Sequence, residues 1–325
     1  MCTSISYRRQ DHYFGRTLDV EFSFREQVVI TPRNFRIHQE NCRDFRTRYA
    51  LIGVASVMNG CPMYYEAANE VGLAMAGLNF PRSAHYSQPK ADRDNLALFE
   101  LIPWVLGQCK TVDQAKKVLS RVNLVPFHMN GQDMTPTLHF MISDKERSIV
   151  VEPLEDGIHI YDNPYNVMTN DPPFEYHLWN MRNYRHLSPK NGAEPAFTDQ
   201  YPLEDYAVGM GAIGLPGDCS SASRFVRAAF NLANSHCDDN EMDNVSQFFH
   251  VLDSVSMVKG AVLTNDGKDD LTLYSCCINV DKGIFYYKTY GNSQISAVKL
   301  RSVDLDGEHL SCYSLHREQN ICYDN

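Results

Sequence analysis

No stretch of this 325-residue chain approaches the roughly 18 or more apolar residues of a membrane-spanning helix. The N-terminal segment carries Arg8, Arg9 and Asp11 where a secretion signal needs an apolar run, so a soluble, cytoplasmic protein is expected. The chain also lacks a C-x-x-C pair and an H-E-x-x-H motif, which argues against bound zinc. Its ten cysteines, without a secretory context, do not suggest a disulfide framework; most read as small buried hydrophobes. Positive charge is in deficit, with 30 Lys and Arg against 40 Asp and Glu. Neither nucleic acid nor an anionic membrane is therefore expected as the main partner. There is no G-x-S-x-G and no Ser-His-Asp order of the usual kind. No repeat and no low-complexity linker divides the chain, so one domain over 1–325 is expected.

What is present alternates in blocks. Residues 2–8 and 12–22 alternate around a short polar turn and read as a hairpin. The apolar runs 49–57 and 72–80 suit strands buried on both faces. Helical spacing follows at 95–109, with Pro103 expected to kink or break it, and at 111–122, opened by the capping box Thr111-x-x-Gln114. Strands return at 137–144, 148–153 and 157–162, and residues 171–200 read as loop with a short helix. Two helices at 220–235 and 243–258 and a hairpin over 270–291, turning at Asp281-Lys282-Gly283, complete the pattern. The order implies an α+β fold in which two sheets pack on each other with helices outside.

Cys2 stands directly after Met1. It is either a chance second residue or, once Met1 is trimmed, a thiol and a free α-amine on one residue. A thiol titrates near about 8.5 and an α-amine near about 8, so the amine can accept the thiol proton. The thiolate can then attack a carbonyl and form a thioester. In "FGRTLD", Arg16 and Asp19 fall beside residues 2–5 if the first hairpin turns near 9–12. They are a surface ion pair or a pair that tunes the thiolate and holds the amine. Asn79 in "GLNFP" and Asn170 in "MTNDPPF" are turn caps or oxyanion donors. Arg224 in "LPGDCSSASRF" is a solvated helix arginine or a fixed cation; Cys219 nearby reads as structural or pocket-lining. His139 reads as packed within its strand. "GMGAIG" (209–214) matches a dinucleotide fingerprint only in spelling, because "LPGD" follows where a helix should start.

Together these motifs, from Met-Cys-Thr to "YYKTYGNSQI" at 286–295, resemble the choloylglycine hydrolases, the family of bile salt hydrolases and penicillin V acylases. The resemblance implies an N-terminal nucleophile hydrolase with an αββα sandwich and no metal or organic cofactor. It implies Cys2 as nucleophile with its α-amine as base, and Arg16 and Asp19 as tuning and orienting pair. Asn79 and Asn170 would line the oxyanion hole and Arg224 would complete the cluster. Penicillin V acylases of this family tend to have tyrosine at the position of Asn79, so the chain resembles the bile salt branch. Matching loops offer Leu18, Phe22, Phe24, Met58, Tyr64, Phe127 and Met129 as an apolar wall for the steroid of a glycine- or taurine-conjugated bile salt. The resemblance further implies a homotetramer, with the loop at 197–214 reaching a neighbouring subunit. Rival readings are a penicillin V or other N-acyl amide acylase, a bile acid amine N-acyltransferase, and a non-catalytic steroid-binding protein.

Overall fold

A computed structural model describes residues 1–38, 44–129, 132–133, 135–192 and 203–325. The first hairpin pairs β1 (Cys2–Arg8) with β2 (His12–Val20), and Cys2 lies opposite Leu18. Then come β3 (Gln27–Thr31), β4 (Leu51–Met58), β5 (Cys61–Asn69) and β6 (Ala74–Asn79). Helix α1 (Leu98–Leu106) runs through Pro103 without breaking. The residues before it, Asp94–Ala97, pair in parallel with Val122–Val125 instead of extending the helix. Val122 thus belongs to a strand and not to α2 (Val112–Leu119), where Thr111 accepts from the Gln114 amide as the capping box requires.

The chain continues through β7 (Leu138–Ser143), β8 (Ser148–Leu154), β9 (Gly157–Asp162) and the short β10 (Val167–Met168). Helices α3 (Phe174–Asn180), α4 (Ser221–Asn234) and α5 (Glu241–Asp253) follow, the last two capped by Ser220 and Asn240. The chain closes with β11 (Leu271–Asn279), β12 (Ile284–Thr289), β13 (Asn292–Lys299) and β14 (Ser311–Ser314).

Two antiparallel sheets result, ordered β10-β1-β2-β11-β12-β13 and β9-β8-β7-β6-β5-β4-β3-β14. Alternation along the second sheet sorts its core. Ile30, Ile52, Ala76, Met141 and Val150 face the first sheet, while Val29, Leu51, Met75, Phe140 and Val151 pack under α1 and α2. Phe225 of α4 and Phe248 of α5 cover the outer face of the first sheet, giving the αββα order. The central pair β2–β11 is tight: a Cβ on Gly15 would sit 2.0 Å from the Cys276 carbonyl oxygen, so only glycine fits there. Among the described residues, no helix is long and apolar enough to cross a membrane. The nine described cysteines are free; Cys2, Cys109, Cys276 and Cys277 are buried, but Cys61, Cys219 and Cys237 are half-buried and Cys312 and Cys322 exposed, so fewer are buried than the sequence suggested. "GMGAIG" opens no α-helix: it holds a single 3-10 turn, Met210–Ala212.

Candidate active site

Register places the chemistry. Cys2 faces Leu18 and Ser4 faces Arg16 across β1 and β2, so the thiol and the guanidinium share one face. Arg16 Nη2 donates to Cys2 Sγ, Nη1 donates to the Gly77 carbonyl at 2.5 Å, and Nε donates to the Thr17 carbonyl at 3.1 Å. Both Cys2 and Arg16 are buried. Burial alone pushes the Arg16 guanidinium down, but Cys2, Tyr274 and Glu66 around it outweigh burial and push it up. It stays a cation.

Asp19 falls on the other face of β2. Its carboxylate is fully buried and accepts from Thr17 Oγ1 at 3.0 Å and Thr272 Oγ1 at 2.6 Å. Burial raises its titration, against the N-terminal ammonium and Arg224, which lower it. The Met1 ammonium donates to the Asp19 carbonyl and to Asp270 Oδ2, the latter at 3.1 Å. A β-bulge positions Thr272: β11 shifts register between Thr272 and Tyr274, so Thr272 meets Asp19 while Tyr274 meets Leu18.

Asn170 joins the layers. Its Oδ1 accepts from the Cys2 amide at 2.9 Å and from Arg224 Nη2 at 2.6 Å; its Nδ2 donates to the Asn79 carbonyl at 2.7 Å. That pattern of donors and acceptors fixes the orientation of the side-chain amide and leaves one Nδ2 hydrogen uncommitted. Arg224 is fully buried; Nη1 donates to the Cys2 carbonyl at 2.5 Å and to Thr3 Oγ1 at 2.7 Å, and Nε to the Cys219 carbonyl at 3.0 Å. Burial lowers its titration, with Asp19, Cys2 and Asp270 opposing. Asn79 is exposed at the end of β6, and its Oδ1 accepts from Thr137 Oγ1 at 3.2 Å.

Of the six residues expected from the sequence, Cys2, Arg16, Asp19, Asn170 and Arg224 are thus buried, with Arg16, Asn170 and Arg224 hydrogen-bonded to Cys2, and Asn79 borders them through its carbonyl. Two buried arginines at one cysteine are costly for stability alone, because an ion taken out of water loses several kcal/mol of solvation. Such a cluster makes this the candidate chemical site.

Supports that sequence reasoning missed surround it. Ser221 Oγ accepts from the Asn170 amide at 2.9 Å, and His177 Nε2 lies 3.1 Å from the Asn170 carbonyl. Burial pushes His177 down to about 4, so it stays neutral. His139 is packed: it stacks on Phe80 and bridges Glu152, at 3.0 Å, and the Thr169 carbonyl, at 2.9 Å.

The expected apolar wall divides. Leu18 is buried beside Cys2. Phe22 and Phe24 are partly exposed with rings 4.6 Å apart, and Phe24 lies 5.8 Å from Tyr65. Ser56 bonds both the Phe24 carbonyl and Tyr65 Oη at 2.8 Å, and the exposed Met58 lies two residues along β4 from it. Phe127 packs edge-on against Phe99 at 4.7 Å. The Met129 side chain lies outside the described residues. Tyr64 is not on this wall: it packs in the core under α1, with its hydroxyl 2.7 Å from Thr31 Oγ1. The cause is a bulge in β5, where Val54 faces Glu66 but Ala55 faces Tyr64, so alternation reverses and Tyr65 takes the place expected of Tyr64.

Comparison with known proteins identifies the family and the fold. Residues 2–313 match the model of the linear amide C–N hydrolases, choloylglycine hydrolase family. A bile salt hydrolase/transferase of Lactiplantibacillus plantarum is 45% identical over 98% of both chains. A variant of conjugated bile acid hydrolase from Clostridium perfringens superposes with a TM-score of 0.92 at 34% identity, over 100% of both chains. Penicillin V acylase from Agrobacterium tumefaciens shares the fold, with a TM-score of 0.77 at 20% identity over 98% of this chain and 94% of that one.

Proposed function

Because this chain belongs to the choloylglycine hydrolase family of linear amide C–N hydrolases, we propose that it hydrolyses glycine- and taurine-conjugated bile salts through a thioester on Cys2. The observation that carries the reading is the convergence of Arg16, Arg224 and Asn170 on Cys2. Removal of Met1 leaves the α-amine of Cys2 as the only base on the nucleophile's own residue. The amine takes the thiol proton, and the thiolate, paired with Arg16, attacks the amide carbon. Negative charge then develops on the amide oxygen, where the free Nδ2 hydrogen of Asn170 and the side chain of Asn79 act as donors. The amine returns its proton to the leaving glycine or taurine, then activates the water that releases the free bile acid. Asp19 and Arg224 hold the N-terminus in register. Leu18, Phe22, Phe24, Met58 and Phe127, with Tyr65, form the apolar side for the steroid, and Met129 is assigned there on the family resemblance. No cofactor enters any step.

The relative at 45% identity is named a hydrolase/transferase, which favours a second outcome at the same thioester: capture by an amine in place of water. The chain is further proposed to work as one catalytic domain in a cytoplasmic homotetramer. The exposed Leu203, Tyr206, Val208 and Ile213 offer apolar surface to a neighbour, and light scattering of the processed protein reads the assembly. The substrate test is release of glycine and taurine from glycocholate and taurocholate, with penicillin V in parallel and Cys2→Ala as control. Cleavage of the bile salts faster than penicillin V, abolished in the variant, is expected. Faster penicillin V cleavage would assign the chain to the acylase branch.

A further inference from the structure

Beside Arg16 lies a second acid that the mechanism above does not use. Glu66 sits on β5 with its side chain fully buried between the sheets. Its Oε2 is 3.8 Å from Arg16 Nε, and both carboxylate oxygens accept from Tyr274 Oη, at 3.1 and 2.8 Å. Regular pairing brings them together: Glu66 lies opposite Val54 and Ala76 on the inner face of β5, and Tyr274 lies opposite Leu18 and points inward from β11. The two side chains meet between the sheets, at a carboxylate that no solvent reaches. A buried glutamate tied to a buried arginine costs more solvation than an apolar pair of the same volume, so core stability does not account for it.

We propose that Glu66 is a positioning residue for the Cys2 nucleophile, pairing with Arg16 and sharing its single positive charge with the thiol. This rests on the reading of Cys2 as nucleophile. Arg16 contacts two groups that both favour its charge when ionised. When Glu66 is anionic, part of the guanidinium's field is spent on the carboxylate, and thiolate formation at Cys2 is harder. When Glu66 is neutral, the whole field serves the thiolate. Burial pushes Glu66 up to about 7, against Arg16, Tyr274 and Cys276, which lower it. The exchange therefore takes place near neutral pH. The titratable groups facing Glu66 are Arg16 on β2, Tyr274 and Cys276 on β11, and its neighbour Tyr65 on β5. The paired residues Val54 and Ala76 on the flanking strands carry no charge.

The test is the pH profile of iodoacetamide alkylation at Cys2, read on the N-terminal peptide by mass spectrometry, in Met1-free protein. Glu66→Gln keeps the shape and removes the competing charge. It should move the alkylation midpoint down by about half to one pH unit, a gain of roughly three- to tenfold in rate on the acid side. Tyr274→Phe removes a hydrogen bond that favours the ionised carboxylate, so Glu66 holds its proton to higher pH. The midpoint should move the same way by less, and this variant serves if Glu66→Gln does not fold. An unmoved midpoint in folded variants, whatever their melting temperature, would reduce Glu66 to a structural role, and an upward shift would also overturn the proposal. Alkylation needs no substrate, so its outcome stands apart from the bile-salt assay. Loss of activity toward bile salts in the wild-type protein would sink the substrate reading alone.

Discussion

Protein that retains Met1 should hydrolyse conjugated bile salts at least about a hundredfold, and up to about ten-thousandfold, more slowly than processed protein, the range lost when a general base is removed. With Met1 attached, the Cys2 nitrogen is an amide. Its N–H already donates to Asn170 Oδ1 at 2.9 Å, and it has no basic lone pair to take the thiol proton. The ammonium is then one residue away, docked on the Asp19 carbonyl and on Asp270. The thiol and Arg16 remain in contact, so the nucleophile is present and only its base is missing. Expression with the methionine aminopeptidase inhibited would yield the unprocessed form, verified by intact mass. Residual activity should track the processed fraction. Full activity in verified Met1-bearing protein would move the base to another residue.

Asn170→Ala should lower kcat by about a hundredfold to a thousandfold, with KM changing far less, because an oxyanion donor acts mainly in the transition state. Two losses combine. The carbonyl oxygen of the substrate loses the free Nδ2 hydrogen, and the Cys2 nitrogen and Arg224 Nη2 lose their shared acceptor Oδ1. Arg224 is fully buried and would keep only its bonds to the Cys2 and Cys219 carbonyls and Thr3. A fall in melting temperature should therefore accompany the kinetic loss. Steady-state kinetics with thermal unfolding on the same sample separate the two effects. A kcat within about threefold of wild type in folded protein would take Asn170 out of the oxyanion site.

The layers of the fold and the first-hairpin part of the polar cluster were legible in the sequence itself. Both depend on short-range pattern: alternation in the first hairpin sets Arg16 opposite Ser4 and leaves Asp19 on the other face. Motif resemblance supplied the distant members Asn79, Asn170 and Arg224. What the sequence hid depends on irregular pairing between segments far apart in the chain. Asp94–Ala97 carries helical spacing, but its partner Val122–Val125 makes it a strand. Tyr64 and Tyr65 are adjacent tyrosines, and only the bulge opposite Val54 and Ala55 decides which one joins the inner core. Glu66 looks like a surface acid in "YYEAAN". It is buried because β5 turns it inward between the sheets, where Tyr274, 208 residues away, donates to it.

The most direct test of a thioester on Cys2 is intact mass spectrometry of processed protein mixed with excess glycocholate and acid-quenched within the first turnover. The account predicts one bile-acyl adduct, located on the N-terminal Cys2 peptide, removed by hydroxylamine and absent from Cys2→Ala. Glycine release by a Cys2→Ala variant, or an adduct on any other cysteine, would contradict it.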